Sequence, residues 1–372
     1  MMASATRHVL MTADAVGGVW TYALDLAEGF AEHGVRVTLA VLGPAPSAEQ
    51  RAQAGAIPGL ALVATNLELD WTAPTPEALA TAAEGLRALV RDSDADLVHL
   101  NSPALAAGQV FDRPIVSVAH SCLATWWGGV RQTQMPEDFR WRAQRHWQGL
   151  LASDAVIAPT AAFAEDTART YEIPRPFVVH NGRQAPARFA WPKQRTVCTA
   201  GRLWDDGKNI AVLDAAAERI DAPLLAAGPL EGPNGERRRL AHAQALGSMP
   251  AQAVRRTFAQ ARIFASAALY EPFGLTVLEA AQARCALVLS DIPTFRELWD
   301  GAALFAPARD GEAFAAAIQT LLDDPDQTDR LAHAAAERAS RYSVAAMVQG
   351  VLDVYGALRP QGLARLEEEA AA

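Results

Sequence analysis

Ile263-Phe264-Ala265-Ser266-Ala267-Ala268-Leu269-Tyr270-Glu271-Pro272-Phe273-Gly274-Leu275-Thr276-Val277-Leu278-Glu279-Ala280-Ala281-Gln282-Ala283 is the stretch whose reading decides the fold. It opens on a short apolar run, Ile263 to Ser266, that suits a buried strand. A loop with Pro272 and Gly274 interrupts it, and a helix is expected from Leu275 to Ala283. Leu287 to Ser290 is the next apolar run. A strand, a loop, a helix and another strand, with apolar runs that do not alternate, describe a parallel sheet covered on both faces.

The same alternation extends in both directions. Toward the N-terminus, strands are expected at His8 to Thr12, Val35 to Leu42, Asp96 to Leu100, Pro114 to Ala119, Ala155 to Ala158 and Pro176 to His180. In Val19 to His33 the residues Trp20, Ala23, Leu24, Ala27 and Phe30 share one helical face, and Gly34 stands where a helix ends. Further helices are expected at Thr75 to Arg91, Pro136 to Leu151 and Ala161 to Tyr171. A break without periodicity runs from Gly182 to Gln194 and carries Pro186 and Pro192. Beyond it come strands at Thr196 to Ala200, Pro223 to Ala227 and Ala302 to Phe305, and helices at Asn209 to Arg219, Gly311 to Asp323, Pro325 to Ser340 and Val344 to Leu358. The expected class is α/β, with two doubly wound, Rossmann-like domains facing across a cleft. Residues 1–185 and 186–342 form the domains; the helix of 343–372 packs back toward the first, with a tail from Leu366 expected to fray.

The 372 residues suit two cores. Lys and Arg number 33 against 42 Asp and Glu, a net charge of −9, which argues against a nucleic-acid partner. Cys122, Cys198 and Cys285 are far apart and form no C-x-x-C, so a disulfide framework and a cysteine zinc site are excluded and a reducing cytoplasm is expected. No signal-peptide pattern fits the N-terminus. The charge-free run from Pro114 to Val130 is broken by Pro114, His120 and Gly128-Gly129, so it reads as a buried strand entering a loop.

Three loops carry chemistry. Gly17-Gly18 lies between the first strand and the first helix, where small residues admit a ligand to the backbone; it is not G-x-G-x-x-G, so no dinucleotide fingerprint is read. Arg202 and Lys208 project from the loop after Thr196 to Ala200 and suit a phosphate. The helix N-terminus at Gly274, Leu275 and Thr276 offers backbone N–H groups to an anion. Glu279, one turn inside, suits a vicinal diol such as a ribose, and Glu271 suits sugar hydroxyls beyond the phosphates. Asp92-Ser93-Asp94 and Asp94-Ala95-Asp96 satisfy D-x-D but read as a solvated turn, so no metal is expected.

With these motifs in place, the chain resembles the retaining glycosyltransferases of family 4, of GT-B fold. The resemblance rests on Gly201-Arg202 with Lys208-Asn209, on Glu271 to Glu279, and on Ser290-Asp291-Ile292-Pro293-Thr294-Phe295-Arg296-Glu297-Leu298, with support from Gly17-Gly18 and Val179-His180-Asn181-Gly182. It implies a hexosyltransferase using a UDP-, GDP- or ADP-linked sugar as co-substrate, with a hydroxyl acceptor, retention of configuration and no obligatory metal or other cofactor. It implies that Arg202 and Lys208 bind the diphosphate, that Glu271 contacts the transferred sugar, that Phe273, Gly274, Leu275 and Thr276 line the donor, and that Glu279 binds ribose. His120 is placed beside the sugar and the reacting centre, Gly17 and Gly18 near phosphate or acceptor, and Asp14 at the acceptor hydroxyl.

Two departures stand out: Arg284 and Ala286, where the family's helix usually ends in Gly followed a little later by Pro, and His180, where Pro is frequent. On the Arg131 to Leu150 segment, Phe139, Ala143, Trp147 and Leu150 share a face expected to be core; the other reading is an acceptor wall or a weak peripheral membrane contact for a lipid-linked acceptor. Acceptor specificity is expected in the loops of Gly43 to Thr75 and Cys122 to Glu137. The alternatives are a nucleotide-sugar-binding protein without turnover, a sugar-nucleotide epimerase, and a phosphorylase. A pyridoxal-phosphate phosphorylase would need a lysine that, Lys193 aside, only Lys208 could supply.

Overall fold

The computed structural model describes residues 6–108, 111–185, 191–232 and 235–358. Pro186 of the expected linker and the expected tail from Leu366 lie outside them. The strands are β1 (His8–Asp14), β2 (Arg36–Leu42), β3 (Leu60–Ala64), β4 (Leu97–Leu100), β5 (Ile115–Val118), β6 (Ala155–Ala158), β7 (Phe177–Val178), β8 (Gln194–Ala200), β9 (Leu224–Ala227), β10 (Gln244–Gly247), β11 (Ala261–Ser266), β12 (Ala286–Ser290) and β13 (Ala303–Ala306). The α-helices are α1 (Gly18–Glu32), α2 (Ala48–Gly55), α3 (Pro76–Asp92), α4 (Leu123–Val130), α5 (Glu137–Leu151), α6 (Ala161–Tyr171), α7 (Ile210–Ala217), α8 (Ala251–Gln260), α9 (Leu275–Gln282), α10 (Pro293–Trp299), α11 (Gly311–Asp323), α12 (Pro325–Ala339) and α13 (Val344–Ala357).

The chain divides into two compact units. The division falls between Gly182 and Arg183, and the chain returns to the first unit at Val344; Gly128–Gln132 group with the second.

In the first unit the sheet order is β3-β2-β1-β4-β5-β6-β7, all parallel. Alternate residues of β1 enter different cores. Val9, Met11 and Ala13 pack with α1, while Leu10 packs with Leu79, Ala83 and Leu86 of α3. Both faces are therefore covered, as a fully parallel sheet requires. Helix α13 closes the first of these cores: Met347, Val348, Val351 and Tyr355 pack with Leu26, Ala27 and Phe30 of α1. Gly29 permits that approach, since a Cβ there would stand 2.4 Å from the Val348 side chain.

In the second unit the order is β10-β9-β8-β11-β12-β13, again parallel throughout. Val197, Ile263 and Val288 enter one core, and Cys198, Phe264 and Leu287 the other.

Several elements depart from the sequence reading. β3 and β10 are edge strands, and β10 has no apolar run, being largely exposed. The Cys122 to Glu137 stretch, expected to be loop, begins with α4, and Gly43 to Thr75 contains α2 and β3. Gly128 and Gly129 read as breakers but are tolerated inside α4 at a modest propensity cost.

Candidate functional site

In both sheets the strand order reverses beside the first strand, between β1 and β4 and between β8 and β11. Loops beyond the carboxyl ends of strands at such a reversal are where open α/β sheets bind ligands.

In the second unit, the loop after β8 carries Arg202 and Lys208. Asp205 shapes it: one carboxylate oxygen accepts the Gly207 N–H at 2.8 Å and the other accepts from Arg202 Nη2 at 3.2 Å. Asn209 takes a left-handed conformation, φ 52°, and its Nδ2 donates to the carbonyls of Ala267 (3.0 Å) and Ala308 (2.6 Å). This amide ties the loops after β8, β11 and β13 to one another, which explains an asparagine directly after Lys208. Lys208 Nζ is thereby brought onto Glu271 Oε2 in an ion pair, both side chains being mostly buried.

The loop after β11 ends at Gly274, which caps α9 with φ +91°. That conformation favours glycine, and a Cβ would also stand 3.1 Å from both Phe295 and Val277. Among the described residues no side chain caps α9, so the first-turn N–H groups of Leu275 and Thr276 face outward from the helix end with its partial positive charge. Phe273, expected to line the donor, turns its side chain into the protein. Its side chain is 3% exposed and packs edge-on against Tyr342 at 5.7 Å, so it is core and can meet a ligand only through its backbone.

Glu279 has a partner that sequence reasoning missed. Arg183 Nε and Nη2 both donate to Glu279 Oε1, at 2.9 and 2.7 Å. Arg183 is 9% exposed, its N–H donates to the Tyr342 carbonyl, and its own carbonyl accepts from Gln282 Nε2. The two residues are 96 positions apart and no local spacing signals the pair; the available sign was a lone arginine after Asn181-Gly182.

In the first unit, Asp14 ends β1 and its Oδ1 accepts the N–H groups of Val16 (2.8 Å) and Gly17 (3.2 Å), a turn that starts α1. Gly17 caps α1 in an extended conformation, and among the described residues, its chain neighbours aside, no atom lies within 4 Å of where a Cβ would project; Gly18 is the first helical residue. The space above this turn is open.

His120 follows β5. Its Nε2 lies 2.8 Å from Asn101 Oδ1, and Tyr22 meets its ring edge-on at 4.6 Å. Behind it, the Tyr22 hydroxyl lies 3.4 Å from His99 Nε2, and His99 Nδ1 lies 2.7 Å from the Tyr355 hydroxyl. Burial pushes both His120 and His99 down to about 3, so both rings are neutral near pH 7.

The D-x-D carboxylates are occupied structurally. Asp94 pairs with Arg36 at 3.0 Å, and Asp96 accepts the N–H groups of Arg7 and His8 at the amino ends of β1 and β4. Among the described residues, no group of three His, Cys, Asp or Glu side chains is placed to hold a metal ion, and no helix is long and apolar enough to cross a membrane.

Helix α5 keeps Leu150 of the expected core face inside but turns Phe139 and Trp147 of that face outward. His146, Gly149 and Leu150 are buried, while Phe139 and Trp147 are 36% and 39% exposed. The Trp127 ring lies 5.9 Å from Phe139 and extends the aromatic surface. Gly149 decides the orientation: a Cβ there would collide with the Pro103 carbonyl.

Residues 16–184 match Glycosyltransferase Family 4, and residues 194–324 match Glycosyl transferases group 1. The phosphatidyl-myo-inositol mannosyltransferase of Mycolicibacterium smegmatis is 27% identical over 303 residues, 74% of this chain and 74% of that protein. Sucrose-phosphate synthase from Thermosynechococcus elongatus superimposes with a TM-score of 0.74 at 17% identity, covering 94% of this chain and 98% of the other. The Anabaena HepE structure with UDP and glucose gives 0.72 at 16%, covering 95% and 100%. The chain is a glycosyltransferase of GT-B fold, related to Glycosyltransferase Family 4 in its first unit and to the group 1 glycosyl transferases in its second.

Proposed function

We propose how the residues divide the work as this glycosyltransferase moves a hexose from a nucleoside-diphosphate sugar to a hydroxyl acceptor. Breaking the anomeric C–O bond leaves negative charge on the diphosphate. Arg202, Lys208 and the N–H groups of Leu275 and Thr276 meet that charge as fixed donors. Glu271 holds hydroxyls of the transferred sugar and Glu279 holds the ribose. In the first unit, His120 contacts the sugar as a neutral hydrogen-bonding group, Gly17 and Gly18 leave room for phosphate or acceptor, and Asp14 orients the acceptor hydroxyl. Retention of configuration and independence of a metal complete the reading.

The observation that carries it is the joining of the β8 and β11 loops. Asn209 and the Lys208–Glu271 pair bring a cation and a carboxylate together on loops at the strand-order reversal, and the Glu271 loop leads directly into the N-terminus of α9. The test is a metal-free thermal-shift panel with UDP, GDP, ADP and their sugar conjugates, on wild type and Glu279→Ala. A ligand at 100 times its dissociation constant adds about 2.7 kcal/mol. One nucleotide should stabilise the wild type and the variant much less; equal stabilisation of both would remove Glu279 from the site.

The exposed aromatic face of α5, flanked by Arg140, supports an acceptor wall or a peripheral contact with anionic lipid at the cytoplasmic side of a membrane. Failure to float with anionic liposomes would remove the membrane reading.

A further inference from the structure

We propose that Asn101 is a positioning residue that holds His120 as its Nε2–H tautomer and leaves Nδ1 as an acceptor for a hydroxyl of the transferred sugar. The hydrogen bonds from Thr12 to His120 have a fixed direction. The Thr12 carbonyl can only accept, and the Asn101 side-chain amide lies 2.7 Å from it, so Nδ2 must be the atom placed there. A flipped amide would set two oxygens against each other. The Asn101 backbone N–H donates to the hydroxyl of the same threonine at 2.9 Å, so Asn101 is gripped twice by a residue that is 1% exposed. Asn101 Oδ1 then necessarily faces His120 Nε2 at 2.8 Å. An amide oxygen can only accept, so Nε2 carries the hydrogen. A neutral imidazole has one N–H, and Nδ1 therefore keeps its lone pair. Among the described residues Nδ1 has no hydrogen-bond partner.

The groups around His120 support neutrality. Tyr22 from α1 packs on its ring, and His99 from β4 and Tyr355 from α13 stand behind Tyr22; none carries a charge near pH 7. Asp14, at the end of β1, is engaged with the N–H groups of Val16 and Gly17.

The proposal rests on the reading of His120 beside the sugar, and its test separates the two. In the full-length protein with ¹⁵N-labelled histidine, His120 (assigned with His120→Gln) should show the Nε2–H form alone from about pH 5 to 8. Asn101→Leu should mix the tautomers and lower kcat for nucleoside-diphosphate release about tenfold, the worth of one hydrogen bond, with UDP-, GDP- or ADP-glucose as donor and KM little changed. Asn101→Asp keeps the acceptor but adds charge, so His120 should titrate within that range and turnover should fall on the acid side. An Nδ1–H tautomer in the wild type overturns the proposal and needs no variant to fold. So does an Asn101→Leu protein with unchanged tautomer and kcat. An Nε2–H wild type whose His120→Ala variant turns over normally would instead overturn the sugar-side role of His120 and leave the relay from Thr12 standing.

Discussion

Replacing Arg183 by methionine removes the guanidinium from Glu279 while keeping much of the buried stem. Both nitrogen contacts end on Oε1, at 2.9 and 2.7 Å, and the two side chains are 9% and 19% exposed. Removing one partner of a buried pair costs about 3 to 5 kcal/mol, and the partial exposure of Glu279 puts the expectation near the lower end, about 3 kcal/mol. For a unit of this size, each kcal/mol moves the midpoint by about 2 to 4 °C, so a fall of about 6 to 12 °C is expected. Arg183→Met with Glu279→Leu should recover part of that loss, because the double variant buries no unpaired charge. Nucleotide binding reads the same pair differently. Glu279→Ala should weaken the stabilising nucleotide about a hundredfold, since hydrogen bonds to a charged group contribute about 1.5 to 3 kcal/mol each. Arg183→Met leaves the carboxylate present but unsteered, and about a tenfold loss is expected. The assays are thermal unfolding for the four members of the cycle and titration calorimetry for the single variants. If Arg183→Met matches the wild type in both, or if the effects of the two substitutions simply add, Arg183 does not orient Glu279 and the reasoning fails.

Arg284 ends α9 at φ 59°, with the Cys285 N–H on the Ala280 carbonyl and the Arg284 N–H on that of Ala281, a geometry that favours glycine. Arg284→Gly relieves about 1 to 2 kcal/mol of left-handed strain against an unfolded-state entropy of about 0.4 to 1 kcal/mol, so a net gain of about 0.5 to 1 kcal/mol is expected in urea unfolding. Arg284→Ala should stay near wild type, and equal behaviour of the two would refute the assignment. Lys208→Met should lower kcat by about 10² to 10³, whereas Glu271→Gln should weaken the sugar nucleotide but not the free nucleoside diphosphate. The opposite split would exchange their roles. His99 and His146 are buried neutral, with burial pushing them down to about 3 and about 4. The unfolded chain takes up protons first as pH falls below about 6.5, so stability should decline from there toward the folded values, by at most about 1.4 kcal/mol per pH unit for each ring. Double replacement by phenylalanine should flatten that decline, and an unchanged slope would assign it elsewhere.

The central strands were legible because burial on both faces makes them continuous apolar runs: Ala155–Ala158 has the bounds expected from the sequence. Edge strand β10 lacks that pressure and its sequence does not announce it, whereas β3, Leu60-Ala61-Leu62-Val63-Ala64, is an apolar run inside a stretch read as loop. The face of α5 was read correctly at Leu150 and misread at Phe139 and Trp147, because periodicity shows which residues share a stripe, not which part of it meets the protein. A backbone contact at Gly149 decides that, and it turns Phe139 and Trp147 outward.

Arg202, Lys208, Glu271, Gly274 and Glu279 could be singled out as candidates because each lies within a few residues of a strand end or a helix start, where local backbone geometry limits what a residue can offer. Their partners could not. Arg183 reaches Glu279 across 96 positions, Asn209 joins loops up to 99 apart, and Tyr355 meets His99 across 256. Local sequence determines strands, helix ends and the residue types offered at them, because those depend on interactions a few residues long. Which carboxylate is held by which cation, and which ring nitrogen carries a proton, depends on hydrogen bonds between distant segments, and only the packed sheets bring those segments within reach.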